Sequence, residues 1–129
     1  MNTVTFALKG AFAAVFTFIT YLFGGFDIPV ITLLVFIILD YITGVISAVF
    51  TKTLSSSYGL LGILKKIAIL CCVVVAVMLD RLLETDFIFK TAFCYFMIAN
   101  EGISVLENAG KMGIPLPQKL LDALKQLKE

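Results

Sequence analysis

The chain has 129 residues, 60% of them hydrophobic, with a formal net charge of +1 and neither histidine nor tryptophan; its mean hydropathy is +1.06. A water-soluble domain is about 45–50% apolar, so this composition excludes an ordinary soluble core and points to a single membrane domain over residues 1–129. The balanced charge gives no pull toward nucleic acid, and three unpatterned cysteines do not make a disulfide framework.

The first apolar stretch, residues 10–26, is long and is followed by no small-residue cleavage site, so a cleaved signal peptide is not expected. A membrane span needs about 20 mostly apolar residues. This stretch is short for that and ends at Gly24 and Gly25. It spans if it begins near Val4 with Lys9 snorkelling to the surface; otherwise it lies in the interface.

The second span covers residues 29–50, with Pro29 suited to a first helical turn. Within it Asp40, Thr43, Gly44, Ser47 and Thr51 recur at steps of three and four and so share one face. Gly44 and Ala48 form a small-xxx-small pair that permits close helix approach. The face is either a packing seam, with Asp40 bonded to a hydroxyl or a lysine, or a wall that water can wet. A charge at bilayer depth costs roughly 2.5–3.5 kcal/mol on insertion scales, so Asp40 requires one or the other.

After the turn-rich segment SSSYG, residues 55–59, the third span covers residues 67–83. Its uncharged part, residues 67–79, is only ~20 Å long at helical rise, short of a ~30 Å hydrocarbon core. Cys71 and Cys72 are neighbours and point about 100° apart on a helix, so they read as small core residues, not a metal or disulfide pair. Cys94 has no histidine to activate it. No phosphate-binding or dinucleotide glycine motif occurs. No catalytic residue, metal site or cofactor is expected, and the chain does not read as an enzyme.

The fourth span covers residues 87–106 and carries a second polar stripe: Lys90, Cys94, Met97, Glu101, Ser104 and Asn108, flanked by Asn100. Lys90 either snorkels to the outer surface or pairs with Asp40; Glu101 pairs with a lysine or lines water. GIPLP, residues 113–117, ends the helix. Residues 117–128 then form a short amphipathic helix with Leu120, Leu121, Leu124 and Leu127 on one face. It needs a surface to bind, either the inner leaflet or a partner helix.

Loop charge sets the orientation. Residues 51–66 hold Lys52, Lys65 and Lys66 and no acid, and the tail holds Lys111, Lys119, Lys125 and Lys128. Asp27, and the turn with Asp80, Glu84 and Asp86, face only Arg81. By the positive-inside rule the lysine-rich segments are cytoplasmic. The expected fold is therefore an all-α integral membrane protein of about four transmembrane helices, both ends inside, with a cytoplasmic amphipathic tail. Lys52, Lys65, Lys66, Lys119, Lys125 and Lys128 are its expected membrane-surface anchors.

The segment LDYITGVISA, residues 39–48, followed by a Ser- and Gly-containing loop into GILKK, resembles the phage lysis and toxin-secretion holins. So does NEGISVLENAGKMGIPLP, residues 100–117, with the leucine-lysine tail behind it. The resemblance runs from about residue 39 to 127; residues 1–29 carry no motif. It implies a protein that accumulates in the bacterial cytoplasmic membrane, forms homo-oligomers in the bilayer and opens to release a cell-wall hydrolase or toxin, with an antiholin as a further candidate partner. Asp40, Thr43, Gly44, Ser47, Lys90, Asn100, Glu101 and Ser104 are the candidate pore-lining or seam residues. Two other classes fit parts of the pattern. A small proton-coupled multidrug-type transporter would use Asp40 or Glu101 as its proton site, and a non-conducting antiholin-like regulator would bind a holin without opening.

Overall fold

A computed structural model describes residues 2–128. Among these residues the secondary structure is entirely helical: α1 Thr3–Leu22, α2 Ile28–Phe50, α3 Ser56–Leu83, α4 Ile88–Lys111 and α5 Gln118–Gln126. α1, α2 and α3 are each long and apolar enough to cross a membrane. α4 has 24 residues, but Lys90, Asn100 and Glu101 lower its hydropathy.

Side-chain caps set three of the starts. The Asn2 carboxamide accepts from the Thr5 amide at 2.8 Å, Asp27 from Val30 at 3.2 Å, and Ser55 from Tyr58 at 3.1 Å. Each satisfies an amide that the first helical turn leaves without a partner.

These caps correct two expected boundaries. α1 begins at Thr3 and stops at Leu22, because Gly24 and Gly25 take positive φ values of 67° and 90° and make a turn of residues 23–26. α3 begins at Ser56, eleven residues before the expected 67, because Ser55 caps it and Leu60, Leu61, Ile63 and Leu64 continue the helix. At 28 residues it is ~42 Å long, with the uncharged part, residues 67–79, unchanged between Lys66 and Asp80.

The core lies between α2, α3 and α4. Val30, Leu33, Ile37, Ile69, Val73, Val77, Cys94 and Ile98 form its buried cluster. α2 and α4 are the most closely packed pair, α3 lies against α4 and more lightly against α2, and α1 approaches α3 alone among the helices. α1 buries none of its residues. At one pole of the bundle the end of α1, the start of α2, the end of α3 and the start of α4 meet. There the Arg81 guanidinium stacks 3.9 Å from the Tyr21 ring centre.

α5 finds the surface that its amphipathic face requires. Of its two expected surfaces, the inner leaflet or a partner helix, it takes a helix of its own chain: it returns along α4, and Leu120 and Leu124 line an apolar pocket with Phe36, Leu39, Gly102, Val105 and Leu106. Gly102 permits this approach: a Cβ there would stand 2.8 Å from Leu124 Cδ2 and 3.0 Å from Phe36 Cε2.

Candidate functional site: two buried polar clusters

Two groups of ionisable side chains are buried in the bundle, one near each pole. The first joins α2, α3 and α4. The Lys66 ammonium donates to the Asp40 carboxylate and to Glu101 Oε2 at 2.5 Å. Asn108 Nδ2 donates to Asp40 Oδ1 at 3.2 Å and to Thr43 Oγ1 at 3.0 Å. Asp40, Glu101 and Asn108 are all buried.

Lys66 was expected at the membrane surface with Lys65. It instead turns inward, half-buried, and pairs with two carboxylates presented by α2 and α4. The expected pairing of Glu101 with a lysine is met by Lys66, and Asp40 shares that lysine instead of taking Lys90. With two carboxylates to one ammonium, the cluster carries one formal negative charge in excess.

A cavity of about 310 Å³ opens beside this cluster, lined among others by Asp40, Gly44, Tyr58, Lys65, Ser104 and Asn108. Gly44 keeps it open: a Cβ there would lie 3.5 Å from the Tyr58 hydroxyl and 3.6 Å from Asn108 Nδ2. Ser47 and Ala48 continue the buried seam of α2. Thr43 is half-buried and donates to the Leu39 carbonyl at 2.7 Å. Asn100 stands apart, with its amide toward Met97 Sδ at 3.8 Å. Of the expected anchors, Lys52, Lys65, Lys119, Lys125 and Lys128 are exposed.

The second cluster ties the opposite pole. Lys90 is fully buried, which corrects the snorkelling alternative. Its ammonium donates to the carbonyls of Gly24 at 3.0 Å and Gly25 at 3.2 Å, and pairs with Asp27 Oδ2 at 3.1 Å. Asp27 thus caps α2 with one oxygen and holds Lys90 with the other.

Asp80, which the sequence placed in an external turn, is 2% exposed. It accepts from Thr85 Oγ1 at 2.5 Å, the Phe89 amide at 2.9 Å and the Lys90 amide at 2.7 Å. Between these partners Glu84, Asp86 and Phe87 all adopt left-handed backbone, with φ of 55°, 54° and 60°. Such conformations cost about 1–3 kcal/mol each and persist where surroundings over-determine them; Asp80 supplies that constraint. The signal in the sequence was an acid one turn before a helix end, which suits an exposed turn equally well.

No side chain in either cluster is placed as a nucleophile with a base. Both clusters hold charge inside an apolar bundle by pairing it across helices, and together they define an all-helical membrane protein with internally paired polar seams. The chain matches the bacteriophage holin family over residues 17–129. It is 36% identical over 105 residues to a probable holin of Bacillus phage phi105, covering 81% of this chain and 76% of that one. It is also 52% identical over 128 residues to an uncharacterized 14.9 kDa protein in the nagH 3' region of Clostridium perfringens, covering 98% and 97% of the two chains. A Bacillus subtilis protein, YqxH, is 35% identical over 107 residues, covering 83% and 76%. No solved structure matches. The chain belongs to the bacteriophage holin family.

Proposed function

We propose that this protein is a pore-forming holin of the bacterial cytoplasmic membrane. α1 to α4 cross the bilayer with both chain ends in the cytoplasm, copies assemble, and the assembly permeabilises the membrane to release a cell-wall hydrolase or toxin. Family membership over residues 17–129 is the observation that carries this reading. Two further features support it. A 129-residue chain is too small to enclose a wide hole by itself, so a hole requires several copies. A protomer whose Asp40, Glu101, Lys66 and Lys90 are internally paired can accumulate in lipid before it assembles.

In this reading the α2–α3–α4 cluster is the barrier to opening. Assembly exchanges pairs inside the protomer for contact with water, and side-chain partners make that exchange easier there than at the opposite pole, where backbone groups hold Lys90 and Asp80. Released hydrolase is cargo and needs no stable binding site; an antiholin is a candidate regulator.

The test is reconstitution of the full chain in vesicles loaded with size-graded fluorescent dextrans. Release of protein-sized dextran supports the hole. Retention of every dextran beside proton-coupled uptake of a lipophilic cation would transfer the protein to the transporter class. Asp40→Asn and Glu101→Gln should each change the delay before lysis in cells, and unchanged timing in both would remove the cluster from triggering.

A further inference from the structure

α5 does not sit beyond the end of α4; it climbs beside it. Three contacts in succession trace the climb. Leu116 lies against Gly110, where a Cβ would meet Leu116 Cδ1 at 3.4 Å. Leu124 lies against Gly102. Lys128 Nζ stands 5.8 Å from the centre of the Phe96 ring. Gly110 and Phe96 are separated by ~21 Å along α4 at ~1.5 Å per residue. Within the expected span, which ends at residue 106, the seat reaches ~15 Å, about half of a ~30 Å hydrocarbon core from its cytoplasmic side.

The face that α5 turns away from α4 is polar. Gln118, Lys119, Asp122, Lys125 and Gln126 are all exposed. An all-lipid environment beside α4 would leave this row of charges and amides unsolvated in hydrocarbon, which membrane proteins avoid. The seating is nonetheless built into both partners. Gly102 is buried and lacks the Cβ that would displace Leu124, and Leu120 and Leu124 form one wall of an apolar pocket whose other walls are Phe36 and Leu39 of α2 and Val105 and Leu106 of α4. A helix of nine residues does not hold its shape without such a seat. Elsewhere the bundle presents apolar surface: α1 exposes Phe6, Phe12 and Phe16, and α2 exposes Ile31, Ile38 and Ile46.

We propose that the α4–α5 side of the protomer faces the water column of the assembled pore, with α5 docked on α4 as part of the lumen wall. This rests on the pore reading and adds which surface lines the hole. α1 and the outer face of α2 then face lipid. The lumen is lined chiefly by α5 lysines, Asp122 and Gln126, and the Asp40 cluster meets water through the cavity beside it. The docked α5 is at once the wettable surface and the cover that keeps the apolar cleft between Phe36 and Val105 out of water.

The test pins α5 in place. In a full-length chain with Cys71, Cys72 and Cys94 replaced by alanine, Gly102→Cys and Leu124→Cys are oxidised to a bridge in vesicles, and Gln126→Cys carries a spin label attached after oxidation. Ile38→Cys in the alanine background is the lipid-facing control. The expected result is a bridged protein that still releases a trapped dye, with the label at residue 126 reached by a water-soluble nickel chelate more than by oxygen, and the label at residue 38 showing the reverse. Oxygen-dominated access at residue 126, failure of the bridge to form, or dye release only after reduction would each overturn the proposal. Retention of dye by both bridged and reduced protein would remove the pore reading itself, and this inference with it.

Discussion

The two polar clusters use the same residue types to different ends. At the Lys90 pole every charge is tied to backbone: Lys90 to the Gly24 and Gly25 carbonyls, Asp80 to the Phe89 and Lys90 amides. Those partners cannot rotate away, so this cluster fixes where four helices begin and end. At the Lys66 pole the partners are side chains on three different helices, next to a cavity of about 310 Å³. Side chains can exchange partners for water without unravelling a helix, and here two carboxylates share one ammonium. The contrast assigns one pole to scaffold and the other to change.

Removing the shared cation breaks the comparison hardest. Lys66→Met leaves Asp40 and Glu101 buried without a counter-charge, a loss of about 3–5 kcal/mol. Denaturation in detergent should show a large drop in stability, and adding Asp40→Asn with Glu101→Gln should restore most of it. A single variant as stable as the wild type would mean that Lys66 does not hold the three helices together.

At the other pole, Asp80→Asn exchanges one carboxylate oxygen for an amide that cannot accept, and should cost about 1–3 kcal/mol. Its signature is local. Hydrogen exchange should rise at Phe89 and Lys90 while Asn108 and its neighbours stay protected. Rises at both poles alike would erase the distinction between them.

Gly102→Ala puts a methyl group against the tip of Leu124, a flexible end that can shift, so the effect on stability should be about 1 kcal/mol. Its readout is proteolytic release of the tail, which should quicken without loss of the core. Gly10→Ala sets the lower limit. Among the described residues nothing beyond its own stretch of helix would lie within 4 Å of a Cβ there, so the helix gains up to ~1 kcal/mol of propensity and no neighbour is displaced. A marked loss in stability would mean that α1 is packed against something after all.

The sequence made the polar residues visible but not their partners. Asp40, Glu101 and Asn108 stand out because stripes at helical spacing expose them inside apolar runs. Lys66 is 26 residues from Asp40 and 35 from Glu101, and next to Lys65 it has the look of a surface anchor, since periodicity within one helix carries no information about which neighbour it faces. Lys90 was ambiguous for the same reason. Asp80 and α3 were hidden by local chemistry that points two ways: an acid near a helix end suits a loop as well as a buried cap, and SSSYG suits a turn as well as the capped start of a helix. The amphipathic tail was legible as a helix that needs a surface. That its surface is the Gly102 face of α4 follows only from a missing side chain on the other partner.

The measurement that bears most directly on the central claim is induced expression in a bacterium, alone and with a cytoplasmic cell-wall hydrolase that lacks a signal peptide. Membrane potential and external hydrolase are followed in the same culture. The account predicts a delay, then sudden depolarisation together with hydrolase release. An intact potential with the protein present in the membrane would contradict it and favour a non-conducting regulator, and depolarisation with the hydrolase still inside would contradict the protein-sized hole.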